Sequence, residues 1–157
     1  MIRYLIALSL LIFFSGCNQS ATSVFKKDPL YGQYLQYTKI LKIIKEKDEV
    51  DSLFNITYLN SANKDIYNIN GDQNFLIGLY DNNKSDLNHY LITLDGKSAI
   101  SIGRYDLNSA ESSNIPFKNR WANYHIVKFN QQSNEKLKLK IKQIETNKEL
   151  EVIFNRE

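Results

Sequence analysis

From Lys136 to Lys142 the chain alternates without a break, with lysine at 136, 138, 140 and 142 and Leu137, Leu139 and Ile141 between them. A period of two puts the three aliphatic side chains on one face of an extended strand and the four lysines on the other. A helix would scatter the same residues round its axis, since it turns every 3.6 residues. The segment is therefore expected to be a strand with one dry and one wet face, which commits the chain to a sheet packed against something apolar. After Glu145-Thr146-Asn147-Lys148, Leu150, Val152 and Phe154 alternate with Glu149, Glu151 and Ile153. Folded as a hairpin, the two segments are expected to set Ile141 near Val152 and Leu139 near Phe154 on the dry face, with Lys142 near Glu151 on the wet one.

Other segments follow the same pattern more faintly. Phe54, Ile56 and Tyr58 alternate with Asn55 and Thr57, and Ile40 to Ile44 precedes them across a polar stretch, so a hairpin is expected here. Phe75 to Tyr80 is a short apolar run of strand type, and His89 to Leu94 is the next strand. Asp95-Gly96 is a two-residue hairpin signal, from which Ala99 to Tyr105 is expected to return. Between Trp121 and Phe129, Tyr124, Ile126 and Lys128 alternate with His125, Val127 and Phe129. Asn60 to Asp65 and Asp81 to Asn88 read as loops. Asp28-Pro29 can open a short helix, with Tyr31, Tyr34 and Tyr37 at helical spacing.

About eight short strands, with no amphipathic helix between them, argue against βαβ units. The expected fold is mainly β, an antiparallel β-sandwich of immunoglobulin-like architecture. Cys17 is the one cysteine of the chain, so no disulfide can join the sheets, and packing and sheet hydrogen bonds must hold them.

The N-terminus is of a different kind. Arg3 gives it a positive start, and Tyr4 to Phe14 is an uninterrupted run of 11 apolar and small residues. A membrane-spanning helix needs roughly 20. The run has the length of a signal-peptide apolar region, and Phe14-Ser15-Gly16-Cys17 follows it. This resembles the lipobox of bacterial lipoproteins, with Phe14 where an aliphatic residue is usual. The resemblance implies cleavage before Cys17 and acylation of its sulfur, with membrane lipid as the partner of the modified cysteine. Multiple acyl chains then make anchoring stable, at about 0.8 kcal/mol per buried methylene. Asn18, where Asp would favour retention in the inner membrane, points to the outer membrane of the cell envelope. The expected organisation is a signal peptide over 1–16, the lipidated cysteine and a small, polar tether over 17–29, and one β-sandwich domain over 30–157.

The remaining 141 of 157 residues suffice for one core of ordinary size. A net charge of +3, with 16 Lys against 4 Arg, does not argue for nucleic acid. His89 and His125 are the only histidines, and no serine sits in a G-x-S-x-G elbow. A cleft holding either histidine beside a carboxylate would favour a hydrolase. Asp81-Asn82-Asn83-Lys84-Ser85-Asp86 begins like a calcium loop but lacks Gly at the sixth position and Glu at the twelfth, which are Asp86 and Ile92. Asp81-x-Asn83-x-Ser85 resembles the extended acceptor pattern of bacterial N-glycosylation, which makes Asn83 the candidate acceptor. The shorter pattern recurs at Asn18 and Asn55 without the acidic residue.

The lysine stripe reads as a solvated strand face, and the ten tyrosines and Trp121 as core filling or a contact surface. With no catalytic residue, cofactor or metal set in the sequence, the expected function is that of a non-enzymatic envelope lipoprotein that binds or supports another envelope protein. A small-ligand or glycan-binding module is the alternative, and a hydrolase of unrecognised type comes third.

Overall fold

The computed structural model describes residues 29–45, 48–67, 70–81, 86–106, 115 and 121–156. Cys17, Asn18 and Asn83 lie outside them.

The first described element is helix α1 (Pro29–Gln36), which opens at the expected proline. Strands β1 (Thr38–Ile44) and β2 (Val50–Tyr58) form the expected hairpin, turning through Asp48 at φ 61°. Two helical turns, α2 (Leu59–Ala62) and α3 (Lys64–Tyr67), stand where a loop was expected. Strand β3 (Gln73–Asp81) follows, then a single 3-10 turn (Leu87–His89) and β4 (Tyr90–Leu94). Asp95 and Gly96 both have positive φ, at 49° and 79°, and reverse the chain tightly into β5 (Lys97–Ser98). The remaining strands are β6 (Ser101–Tyr105), β7 (Asn123–Phe129), β8 (Lys136–Gln143) and β9 (Glu149–Asn155).

These strands make two antiparallel sheets, ordered β1-β2-β3-β7-β6 and β5-β4-β8-β9. The expected sandwich is therefore present. An immunoglobulin strand order is not shown: that order would move the third strand to the opposite sheet, whereas β3 stays beside β2 here.

The inter-sheet core is built by alternation. Phe54, Ile56 and Tyr58 of β2, Phe75, Ile77 and Leu79 of β3, and Val127 and Phe129 of β7 meet Tyr90, Ile92 and Leu94 of β4, Leu137, Leu139 and Ile141 of β8, and Phe154 of β9. A second core lies on the far side of the five-stranded sheet. There Tyr34 of α1 and Leu59 and Ala62 of α2 cover Leu76 of β3 and Tyr124 of β7, together with Tyr105 and Ile115. The molecule thus has three layers, with the five-stranded sheet in the middle. Gly78 is what lets Tyr124 lie flat on that sheet: a Cβ there would meet the Tyr124 Cε1 at 2.8 Å.

The structure corrects two readings besides the loop at Asn60. The C-terminal hairpin has the expected faces, but its register is displaced by two residues: Ile141 pairs with Leu150, Leu139 with Val152, Leu137 with Phe154, and Lys142 with Glu149. Gln143 N–H donates to Lys148 O at 2.9 Å, which closes a shorter turn than supposed. A two-residue shift leaves every side chain on its own face, so alternation cannot distinguish the two registers. The return strand after Gly96 is also divided. Only Lys97 and Ser98 pair with β4, after which the chain crosses to the other sheet, where Ser101–Tyr105 pair with β7.

Candidate functional site

The two histidines end in different environments. His89 closes the 3-10 turn with its side chain exposed. His125 shares a face with Val127 and Phe129, points between the sheets and is 4% exposed. Its position follows from strand parity, because β7 turns its odd residues inward and its even residues toward the helical cap.

What surrounds His125 comes from two other segments. In the antiparallel register Arg104 of β6 sits opposite His125, and Ile102 opposite Val127. β9 packs beside β1, so the two-residue β5 falls at the β6 end of the sandwich and leaves Ile102 and Arg104 exposed. The link from β3 to β4 supplies the third side. Leu87 anchors it in the core, while the Asp86 carboxylate accepts from Asn88 N–H at 3.3 Å and from Asn88 Nδ2 at 2.9 Å, capping the 3-10 turn. This places Asp86 Oδ1 at 3.7 Å from His125 Nε2. Asp86, Asn88, Ile102, Arg104 and His125 enclose a cleft of about 220 Å³.

Burial pushes the His125 imidazole below its ordinary pKa and the nearby Arg104 charge adds to this, while Asp86 and the Asn123 backbone pull the other way. At neutral pH the ring is uncharged. Its Nδ1 is buried and forms no well-aligned hydrogen bond. In a hydrolase triad a carboxylate orients one ring nitrogen while the other faces a nucleophile. Here the nitrogen away from Asp86 meets no hydroxyl among the described residues.

A second polar cluster closes one end of the sandwich. Asp81 Oδ2 accepts from Tyr90 Oη–H at 2.6 Å and from Ser52 Oγ–H at 3.2 Å. Burial and the bond to Asp81 hold the Tyr90 phenol well above its ordinary pKa. Asp51 is the extra residue of a bulge, since Ile43 pairs with Ser52 and Ile44 with Val50. Its carboxylate lies 2.9 Å from Lys45 Nζ and accepts from Gln143 Nε2 at 3.1 Å. The Lys45 bond holds Asp51 below the usual carboxylate range, against the effect of burial. Asp81 is also the acidic residue of the Asn83 acceptor pattern, and its side chain is turned onto the fold. Among the described residues no group of three or more His, Cys, Asp or Glu could hold a metal ion.

The other sequence candidates are placed as follows. Lys138 and Lys140 face solvent and pair with Glu151 at 3.3 Å and Glu149 at 2.7 Å, which neutralises part of the lysine stripe. Tyr34, Tyr58, Tyr90, Tyr105 and Tyr124 are buried, whereas Trp121 is 79% exposed. A larger polar cleft, about 500 Å³, lies between α1 and the α2–α3 turns, lined by Gln33, Tyr37, Ser61, Asn63, Lys64 and Asp65. Sequence reasoning singled out His125 but missed Arg104, Asn88 and the pairing role of Asp86. The only available signal was that Arg104 and His125 both fall in strand-like segments, which does not say that those strands are neighbours.

Comparison with protein-family models, curated proteins and solved structures finds no match to this chain.

Proposed function

We propose that this chain is an acylated lipoprotein of the bacterial cell envelope whose β-sandwich acts as a non-enzymatic binding or assembly module. The observation that carries the reading is Phe14-Ser15-Gly16-Cys17 directly after an 11-residue apolar run. Asn18 after the cysteine favours the outer membrane. The cleft that sets His125 beside Asp86 is the one feature that favours the hydrolase reading.

Cys17→Ala is the direct test. Labelled fatty acid should enter the wild-type protein and not the variant, and the variant should escape cleavage by the lipoprotein signal peptidase. A variant processed and fractionated with membranes like the wild type would overturn the anchor.

The glycan or small-ligand reading is supported by one feature, the cleft that sets Tyr37 among the amides and hydroxyl of Gln33, Asn63 and Ser61. The Tyr37 ring offers a sugar a stacking face and the amides offer it hydrogen bonds. Tyr37→Ala should then weaken retention on an immobilised oligosaccharide while leaving fatty-acid labelling unchanged.

A further inference from the structure

The cleft over β6 and β7 combines features that the lipoprotein reading does not use. Asp86 and Arg104 bring opposite charges to one space of about 220 Å³. They do not satisfy each other. The described partner of the Arg104 guanidinium is Asn123 Oδ1 at 3.4 Å, at the outer limit of a hydrogen bond, so most of its planar fork is open. Asp86 spends its bonds on Asn88, and His125 stands off at 3.7 Å. A buried histidine at 4% exposure, His125, lines this space.

We infer that this cleft binds a small zwitterion, with the ligand's anionic group on the Arg104 fork and its ammonium on the Asp86 carboxylate. A guanidinium fork matches the two oxygens of a carboxylate or phosphate. A carboxylate held by a turn cap is a fixed acceptor for an ammonium. Because His125 is neutral, the charge of the cleft is one positive and one negative group. A simple anion would be repelled by Asp86 and a simple cation by Arg104, so each pays a penalty that a ligand carrying both charges avoids. The volume suits one such molecule. Ile102, 45% exposed, adds an apolar wall for a short carbon chain. The chemistry is shared by a free α-amino acid and by phosphoethanolamine, the polar group of a common zwitterionic lipid class.

The test uses the full-length chain in detergent micelles and titrates glycine, L-alanine, phosphoethanolamine, acetate and ethylamine, reading calorimetric heat and the NMR signals of the His125 ring. At least one zwitterion should bind saturably and move the His125 resonances, and acetate and ethylamine at equal concentration should not. Binding of the amino acids alone would identify a free amino acid as the source, and binding of phosphoethanolamine alone a headgroup. Asp86→Asn keeps a capping side chain and removes the charge, and Arg104→Gln changes an exposed residue, so both should retain the wild-type melting temperature. Each should weaken zwitterion binding at least tenfold. Absence of binding by all three zwitterions would overturn the inference, as would acetate or ethylamine binding as tightly as they do, or full affinity in either variant.

Discussion

The inter-sheet core and the core beneath the helical cap share β3, which serves both: Phe75, Ile77 and Leu79 face the other sheet, Leu76 faces the cap, and all four are buried. The first core is closed by strands from both sides, and its rings interlock. Phe75 lies with its ring centre 5.0 Å from Tyr58, 5.4 Å from Phe154 and 5.8 Å from Phe129. The second is closed by one eight-residue helix, two helical turns and Ile115. Its order depends on a polar latch. Asn60 Oδ1 accepts from Asn74 N–H at 2.7 Å, and Asn60 Nδ2 donates to Asp72 O at 2.7 Å and Tyr67 O at 3.1 Å, tying α2 to the end of α3 and the start of β3. One face of the sheet is thus held by apolar area, while the other adds hydrogen bonds that fix irregular backbone in place.

Substitutions can test this contrast. Phe75→Ala should have the largest effect, about 3–5 kcal/mol of stability lost in denaturant unfolding. As β3 is common to both cores, the loss should be cooperative across the chain, and two separate transitions would show that the cores are independent. Asn60→Ala should cost less, about 1–3 kcal/mol, because it leaves the buried Asn74 N–H without its acceptor. Its signature should be local. Amide exchange should quicken in α2 and α3 while β8 and β9 remain protected. Uniform acceleration across all elements would show that the latch belongs to the global fold.

The open end of the inter-sheet core should answer to pH. The folded-state pKa of His125 lies below its ordinary value of 6.5, so on acidification the unfolded chain takes up the proton first. The stability present above about 6.5 should fall as the pH drops through that value toward the folded pKa, and level off below it. His125→Gln should flatten the slope between pH 7 and pH 5 relative to the wild type, as measured by melting temperature. Equal slopes would show that burial of this ring is not linked to folding. The smallest effect should come from Lys140→Ala on the wet face of the four-stranded sheet, where the pair to Glu149 is open to water. A melting temperature indistinguishable from the wild type is expected, and a clear drop would mean that this face is covered.

The two cores also explain which parts of the fold were legible. A strand with one wet face writes its orientation as alternation, and Lys136–Lys142 did so plainly. β3 is covered on both faces, so Phe75 to Leu79 reads as an unbroken apolar run that announces a strand without saying what lies on either side. The cap left almost no trace, because α2 and α3 have four residues each, too few to show a helical period. Asn60 and Asn74 look like loop residues in the sequence and are buried hydrogen-bond partners in the fold. The crossing at Ala99 and Ile100 was equally silent, since a strand that changes sheet keeps its local β preference.

The sequence by itself determined the β class, the dry and wet faces of the C-terminal hairpin, the Asp95-Gly96 turn and the absence of a disulfide, because each depends on residues close together in the chain. Only the tertiary structure decided the hairpin register, the third layer and the neighbours of His125. Asp86 reaches that histidine through the crossing between sheets, and Arg104 through the pairing of β6 with β7. Pairing between distant segments is set by the packing of whole faces against one another, which no local pattern of side chains encodes.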